Sequence, residues 1–584
     1  MSVIDIAAVQ RALDELGALV AAATPRAPVG GDGGEEQRRR LAWHLREYLL
    51  PRVRDLEAPL VAVLLGSTGT GKSSLLNGLA RRRVSPSGVI RPTTVRPLAL
   101  LAPGQVDAFM GGRVLAALAN EDRVELAVDE QAVPEIVLVD APDLDSVETA
   151  NQLAADELLQ AADLCLFVTT AQRYADAVPW EFLRRARERG IPLMVLVNRL
   201  PRDEADRNAV LADCRRRFSE AGFDDAGPRG ELPFLGVLEG ARDAEVDGLD
   251  AAAIEPLRRT LDELAADPRA LGAVKAAALR GAVAGLPDAV GRLAGYLERD
   301  RQRAATLRAA VERAYAAEAA KLAERLAGGE FLRGEVMRAW QEFVGVGDVA
   351  RWLSSGVGRV RAWLARRLRP RITEAPIEQA KERAFEQLVA ALVRHADAAA
   401  AQAAAAWSDD PAGAGLVEAH PELWGHGERL PAEAHELLTA WLGRLAKVVE
   451  ERGQDRRAFA FVASLGVNAI GVVAMLAVFA HSAGLTGGEL AIAGGTAVLN
   501  QKLLEALIGE AAVADIIRGA DRDLRATMRA GLEADRDRFL DLLAPGETGP
   551  EELRAAAQRV VTEAERLLAG LDGAEGQRTR LAEG

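Results

Sequence analysis

Eight consecutive residues carry the clearest chemistry in this chain. Gly66-Ser67-Thr68-Gly69-Thr70-Gly71-Lys72-Ser73 has the spacing GxxxxGK[ST], with the apolar run Val61 to Leu65 before it and the helix-forming stretch from Ser74 to Ala80 after it. Glycines at these positions let backbone N–H groups wrap phosphate oxygens at a helix N-terminus. The lysine reaches the terminal phosphates, and the hydroxyl that follows ligates Mg²⁺. Ser74 completes the stretch expected to line a nucleotide. Lys72 is one of six lysines among 72 basic residues, so it stands out from an arginine-rich background.

Three further places have types suited to the same chemistry. Glu135-Ile-Val-Leu-Val-Asp140-Ala-Pro-Asp143 is an apolar strand ending in a carboxylate, and Asp140 there can hold Mg²⁺ through water. Thr94, in the loop from Ile90 to Pro97, sits on a segment long enough to close over a terminal phosphate. Asn198 and Arg199 end the apolar run Val195-Leu-Val, where ligands of α/β sheets bind. Metal ligands are therefore expected at Ser73 and Asp140.

The elements that must position these residues can be read from periodicity. Six short apolar runs alternate with helical stretches: Pro59–Leu65, Pro97–Leu101, Ile136–Val139, Leu164–Val168, Pro192–Val197 and Pro233–Leu238. That alternation predicts βαβ units and one doubly wound α/β domain with a mainly parallel sheet. Before it, Ile6, Val9, Leu13, Leu16 and Val20 recur at helical spacing, and a second helix is expected over about 35–54 beyond the Pro/Gly-rich stretch 24–34. After about residue 252 the chain reads as nearly all helical. The expected division is 1–56 N-terminal helices, 57–250 the phosphate-binding α/β domain, 251–455 a helical stalk, 456–510 an apolar hairpin, and 511–584 helices returning to the bundle.

Composition limits the function classes. The 584 residues carry a formal charge of −14, which argues against nucleic acid as the main partner. Cys165 and Cys214 form no CxxC or Cys/His zinc spacing. His420, His426 and His435 suit no helical metal pair and are read as loop residues. The N-terminal helix has charged residues throughout, unlike a signal peptide. Ala458 to Ala480 is uncharged for 23 residues, about 34 Å as a helix, enough to cross a hydrocarbon core. Arg452, Arg456 and Arg457 before it predict a cytoplasmic end. With the ten apolar residues Leu490 to Leu499 it reads as a membrane-inserting hairpin. Arg351 to Arg371 holds seven arginines and no acid, with Trp352 and Trp363, and suits either anionic lipid or an acidic stalk neighbour.

The order of these motifs resembles that of dynamin-like GTPases, specifically the bacterial members. Gly66 to Ser73 match the phosphate loop, Thr94 the switch threonine that binds Mg²⁺ and the attacking water, Asp140 the DxPG aspartate, and Asn198-Arg199 the first two positions of [NT]KxD. The resemblance implies GTP as substrate, Mg²⁺ as cofactor and Thr94 as a further metal ligand, with Lys72 and Thr94 at the chemistry of hydrolysis. Departures from the family pattern make that hydrolysis slow and give Asp143 a role in either restraining it or orienting the attacking water. It also implies action at a lipid membrane, on its cytoplasmic face in a bacterial cell. Tethering, fusion or remodelling would be the outcome, with self-association or pairing with a related dynamin-like protein.

The chain departs from the family pattern at four places. Gly69 stands where dynamins carry a serine that helps place a monovalent cation, and Thr68 replaces their glutamine. Asp143 replaces the DxPG glycine, so a carboxylate faces the γ-phosphate position unless it is turned away or protonated. Pro201 holds the place of the guanine-reading aspartate, and Asp203, two residues on, substitutes only if the loop bulges. These departures keep open a nucleotide-gated membrane scaffold with little hydrolysis and an ATP-using P-loop protein.

Overall fold

The computed structural model describes residues 6–26, 33–85, 96–110, 124–144, 149–327, 375–452, 510–544, 546 and 548–582. The chain divides into two compact units, one of residues 1–25, 32–299 and 546–584, the other of residues 26–31 and 300–545.

The first unit is built on a seven-stranded sheet. Its strands are β1 (Leu60–Leu65), β2 (Leu98–Leu101), β3 (Glu125–Val128), β4 (Ile136–Asp140), β5 (Leu164–Thr170), β6 (Leu193–Leu200) and β7 (Phe234–Leu238), in the order β3-β2-β4-β1-β5-β6-β7. Every pairing is parallel except β2 with β4. The strands β1, β4 and β5 are buried along their whole length, the pattern of strands covered on both faces. Side chains alternate between the faces. Val61, Val63, Val137, Val139, Cys165 and Phe167 enter one core, while Leu60, Ala62, Leu64, Leu138, Leu164 and Leu166 enter the other.

Six strands match the expected runs. The seventh, β3, escaped notice because Glu125–Val128 is an edge strand with mostly exposed residues, so no apolar run marks it. A short antiparallel pair, β8 (Arg242–Asp243) and β9 (Gly248–Leu249), follows β7. The N-terminal helix Ile6–Ala22 buries Val9, Leu13, Leu16 and Val20, the face its periodicity predicts. It packs with helix Pro550–Ala582 of the same unit, where Glu15 and Arg559 pair at 2.7 Å. The second expected helix is Gly34–His44, which passes through a π-helical turn, Leu45–Leu49, into Leu50–Arg54.

The second unit is helical. Its core joins Trp407, Trp441, Phe385 and Phe539 to an alanine-rich stripe on helix Ala375–Ser408, where Ala391, Ala396, Ala399, Ala400, Ala403 and Ala404 are fully covered. Small side chains let neighbouring helices approach closely, and each buried large apolar side chain contributes about 1.5–3 kcal/mol. Buried polar groups are paired within it: Tyr315 donates to Asp535 at 2.7 Å, and His395 Nδ1 lies 2.7 Å from Glu318.

One part of the expected fold class is corrected. Among the described residues the architecture is an α/β unit and a helical unit, and no helix of theirs is long and apolar enough to cross a membrane. Residues 456–509 lie outside the described residues, and at Glu510 the charged, amphipathic helix Glu510–Leu542 begins. A long uncharged run meets the length condition for a bilayer, but length alone does not separate a span from a covered core helix. The transmembrane assignment is withdrawn. The basic segment Arg351 to Arg371 also lies outside the described residues.

Candidate nucleotide-binding site

The loop between β1 and helix Lys72–Ala80 has the conformation its glycines predict. Gly69 and Gly71 adopt φ values of +74° and +102°, which L side chains rarely take. A Cβ on Gly71 would also lie 2.5 Å from Asn198 Nδ2. Thr70 Oγ1 donates to Ser67 O at 2.9 Å and tightens the turn. The loop thus presents the start of a helix, the positive end of its dipole, to the space above the sheet.

Two polar side chains where this loop enters the helix, Lys72 and Ser73, reach the carboxylates at and after the end of β4. Lys72 Nζ, almost fully buried, donates to Gly66 O at 2.7 Å and to Asp143 Oδ1 at 2.6 Å. Ser73 Oγ donates to Asp140 Oδ2 at 2.7 Å, and Ser85 Oγ to the same oxygen at 3.2 Å. The other oxygen, Asp140 Oδ1, is buried with no hydrogen-bond partner. Burial pushes the Asp140 carboxyl above its ordinary value, with the Lys72 charge pulling the other way. A buried carboxylate oxygen without a donor, beside a serine hydroxyl, is a donor set that fits Mg²⁺: hard oxygen ligands, few protein groups, and positive charge needed to offset burial. Ser67 Oγ is likewise buried without a partner.

The neighbouring strand grips the loop from the other side. Asn198, at the C-terminal end of β6, donates from Nδ2 to Thr70 O at 3.0 Å, and its Oδ1 accepts from Arg199 N at 2.8 Å. Arg199 takes a left-handed φ of +52° and donates from its guanidinium to Gly69 O at 3.0 Å. A bulge lies here: β6 and β7 pair at Val197↔Gly236 and again at Leu200↔Leu238, three residues against two.

The structure therefore gathers Gly66 to Ser74, Asp140, Asp143, Asn198 and Arg199 at the C-terminal edge of the sheet. Thr68, Gly69, Gly71 to Ser74, Asp143, Asn198 and Arg199 line a cavity of about 560 Å³, with Asp140 buried behind Ser73. Thr94 lies outside the described residues. Sequence reasoning missed Arg173, which donates to Thr68 O at 2.6 Å. It also missed Asn77, whose Oδ1 accepts from Val84 N and Ser85 N at 2.9 and 2.8 Å and so holds Ser85 against Asp140. No local motif marks either residue, since each acts on a segment distant in sequence or beyond the helix end.

The remaining candidates are elsewhere. Among the described residues no cluster of three His, Cys, Asp or Glu side chains could hold a metal ion. His420 pairs with Glu422 and His426 with Asp397. His435 lies inside helix Leu430–Arg452 against the Phe385 ring, where a loop was expected. Cys165 and Cys214 are free and buried, and burial pushes both thiols up to about 12.

The chain is similar to solved structures of a bacterial dynamin pair. One, described as "An oligomerised bacterial dynamin pair provides a mechanism for the long-range sensing and tethering of membranes", is 13% identical, with 93% of this chain and 96% of that chain covered and a TM-score of 0.34. A second of the same description is 13% identical, with 92% and 95% covered and a TM-score of 0.33. They belong to the group that the motif order resembles. No protein-family model matches the chain, and no curated protein matches it.

Proposed function

We propose that this protein is a P-loop GTPase of dynamin-like type, binding GTP with Mg²⁺ at Gly66–Ser74 and hydrolysing it slowly. The observation that carries the reading is the convergence of Lys72, Ser73, Asp140 and Asp143 at one helix N-terminus, with Asp140 Oδ1 unpartnered. Ser73 and Asp140 would hold Mg²⁺, which supplies Lewis-acid polarisation of the phosphate oxygens when bound. Thr94 is proposed as a further ligand on the metal and as the residue that positions the attacking water.

Lys72 has the main electrostatic role. Its ammonium neutralises charge on the β- and γ-phosphates, and to do so it must leave or share the Asp143 carboxylate. Asp143 then stands beside the γ-phosphate position with its charge released. It either restrains hydrolysis by competing for Lys72 or turns to orient the attacking water. The backbone N–H groups of the loop and the Asn198 and Arg199 contacts keep the cradle preformed, so little reorganisation accompanies binding.

The resemblance of the motif order to bacterial dynamin-like proteins extends the proposal to membrane tethering, fusion or remodelling; tethering is the activity named for the dynamin pair. Association with a second copy or a related chain at the membrane belongs to the same reading. The Asp143–Lys72 pair also favours a second reading, a nucleotide-gated scaffold with negligible turnover.

Phosphate release by the full-length protein tests both, with GTP and ATP compared, with and without anionic liposomes and across protein concentrations. GTP-selective release that liposomes stimulate, with specific activity rising with concentration, is the expected result. Tight nucleotide binding without release on liposomes selects the scaffold. Absence of nucleotide binding overturns both.

A further inference from the structure

The base end of the cavity has lost the carboxylate that reads guanine, and the register of the sheet points to its replacement. Guanine offers two parallel donors, N1–H and the N2 amino group, which one carboxylate accepts together; adenine offers an acceptor and a donor instead. A carboxylate at that end therefore selects guanine. Pro201 offers none. Asp203 is committed elsewhere: its side chain caps helix Glu204–Glu220 by accepting from Asp206 N at 3.0 Å, and it does not line the cavity.

Three acidic side chains do line the cavity: Asp143, Asp247 and Glu239. Asp143 is at the phosphate end on Lys72. Asp247 pairs with Arg242 at 3.1 Å. Glu239 is different. It directly follows β7, it is exposed, and its carboxylate has no hydrogen bond or ion pair with the described residues. Its backbone is held on both sides, N–H donating to Leu200 O at 2.9 Å and C=O accepting from Arg202 Nε at 3.2 Å.

The bulge explains the placement. With Leu200 opposite Leu238, the next step of the same parallel register sets Pro201 beside Glu239. The missing carboxylate on β6 thus has a carboxylate as its neighbour on β7. Arg199, two residues before Pro201, also lines the cavity and donates to Gly69 O at 3.0 Å, which ties the end of β6 to the phosphate loop. We infer that Glu239 is the residue that reads the guanine base, a specificity role moved from the end of β6 to the end of β7. This inference rests on the proposed nucleotide site.

The test is competition for a fluorescent GTP analogue on the full chain by GTP, inosine triphosphate, xanthosine triphosphate and ATP. Glu239→Gln is compared with wild type and with Asp203→Asn. Wild type is expected to prefer GTP to inosine triphosphate and ATP. Glu239→Gln should weaken GTP at least tenfold and improve xanthosine triphosphate, because an amide donates to the xanthine O2 and still accepts from N1–H. Asp203→Asn should leave the GTP-to-xanthosine ratio unchanged. An unchanged ratio in Glu239→Gln, or a changed one in Asp203→Asn, overturns the assignment. A wild type that binds all four nucleotides alike overturns it while leaving the triphosphate site standing, and one that binds none overturns both. Glu239 is exposed, and an unaltered unfolding midpoint excludes misfolding as the cause.

Discussion

Two fully buried aspartates of the α/β unit stand at opposite ends of the sheet and are treated in opposite ways. Asp163, just before the N-terminal end of β5, accepts from Tyr48 Oη and Val61 N, each at 2.9 Å, and pairs with the Arg52 guanidinium. Arg189 lies over the Tyr48 ring at 4.0 Å and donates to Ala162 O at 2.9 Å. Asp140, the last residue of β4, has two hydroxyls on one oxygen and nothing on the other. The first carboxylate is saturated by its own protein, the second is left incomplete. Saturation at the N-terminal end serves stability, and incompleteness at the C-terminal end is what a ligand site requires.

The largest effects should separate the two ends. Lys72→Ala is expected to lower GTP turnover by about a hundredfold or more, since it removes the one lysine positioned for the phosphates. The Asp143 carboxylate it leaves behind is not fully covered, so the accompanying loss of stability should be smaller than that of the Asp163 variant. Asp163→Asn should do the reverse, because it leaves Arg52 and Arg189 buried without a counter-charge. A loss of about 3–5 kcal/mol in denaturant unfolding is expected. Nucleotide affinity of the folded fraction should be unchanged. A small stability loss in Asp163→Asn would remove the contrast.

Asp140→Asn sharpens it. Burial raises the Asp140 carboxyl, so the ionised form costs stability until a cation joins it. The neutral isostere should therefore unfold at an equal or higher denaturant concentration, by about 1 kcal/mol, while Mg²⁺-dependent turnover is lost. If both asparagine variants destabilise alike, the two aspartates are structural equals and the functional reading of Asp140 fails.

A smaller effect concerns Asp143. Release of Lys72 from this carboxylate should tighten GTP binding in Asp143→Gly by about tenfold, equivalent to about 1.4 kcal/mol. Turnover at saturating GTP should change as well, upward if the carboxylate restrains hydrolysis and downward if it orients water. Unaltered turnover would exclude both roles.

What could be read beforehand follows the same division between local and distant causes. The central strands were legible because both of their faces are covered, which makes each a run of apolar residues. β3 was not, because an exposed edge strand such as Glu125–Val128 lacks that run. The phosphate loop was legible because its chemistry is contiguous. Arg173, Asn77, Ser85 and Glu239 reach the site through turns, a bulge and strand order, none of which leaves a local pattern. The Lys72–Asp143 pair gives the carboxylate at the DxPG glycine position a partner, where the sequence left it repelling phosphate unless turned away or protonated. The π-turn Leu45–Leu49 was equally hidden inside a continuous helical periodicity, yet it carries Tyr48 to Asp163.

The saturated end also titrates in a way the nucleotide end should not. His44, one turn before Tyr48 and stacked on its ring, donates from Nδ1 to Gln160 O at 3.0 Å. Burial, with the Arg189 charge adding to it, holds its imidazole down to about 3. The unfolded chain takes up that proton near pH 6.5, so between about pH 6.5 and 3 the unfolded state binds more protons than the native state. This contribution to stability is therefore complete at neutral pH and is lost as pH falls, by at most about 1.4 kcal/mol per unit. His44→Gln, which keeps a donor for Gln160 O and has no proton to gain, should lose less stability than wild type between pH 7 and pH 5. GTP affinity should follow the same pH course in both proteins. Equal losses of stability would mean that His44 is not held neutral, and the cluster around Asp163 would then already accommodate a further positive charge.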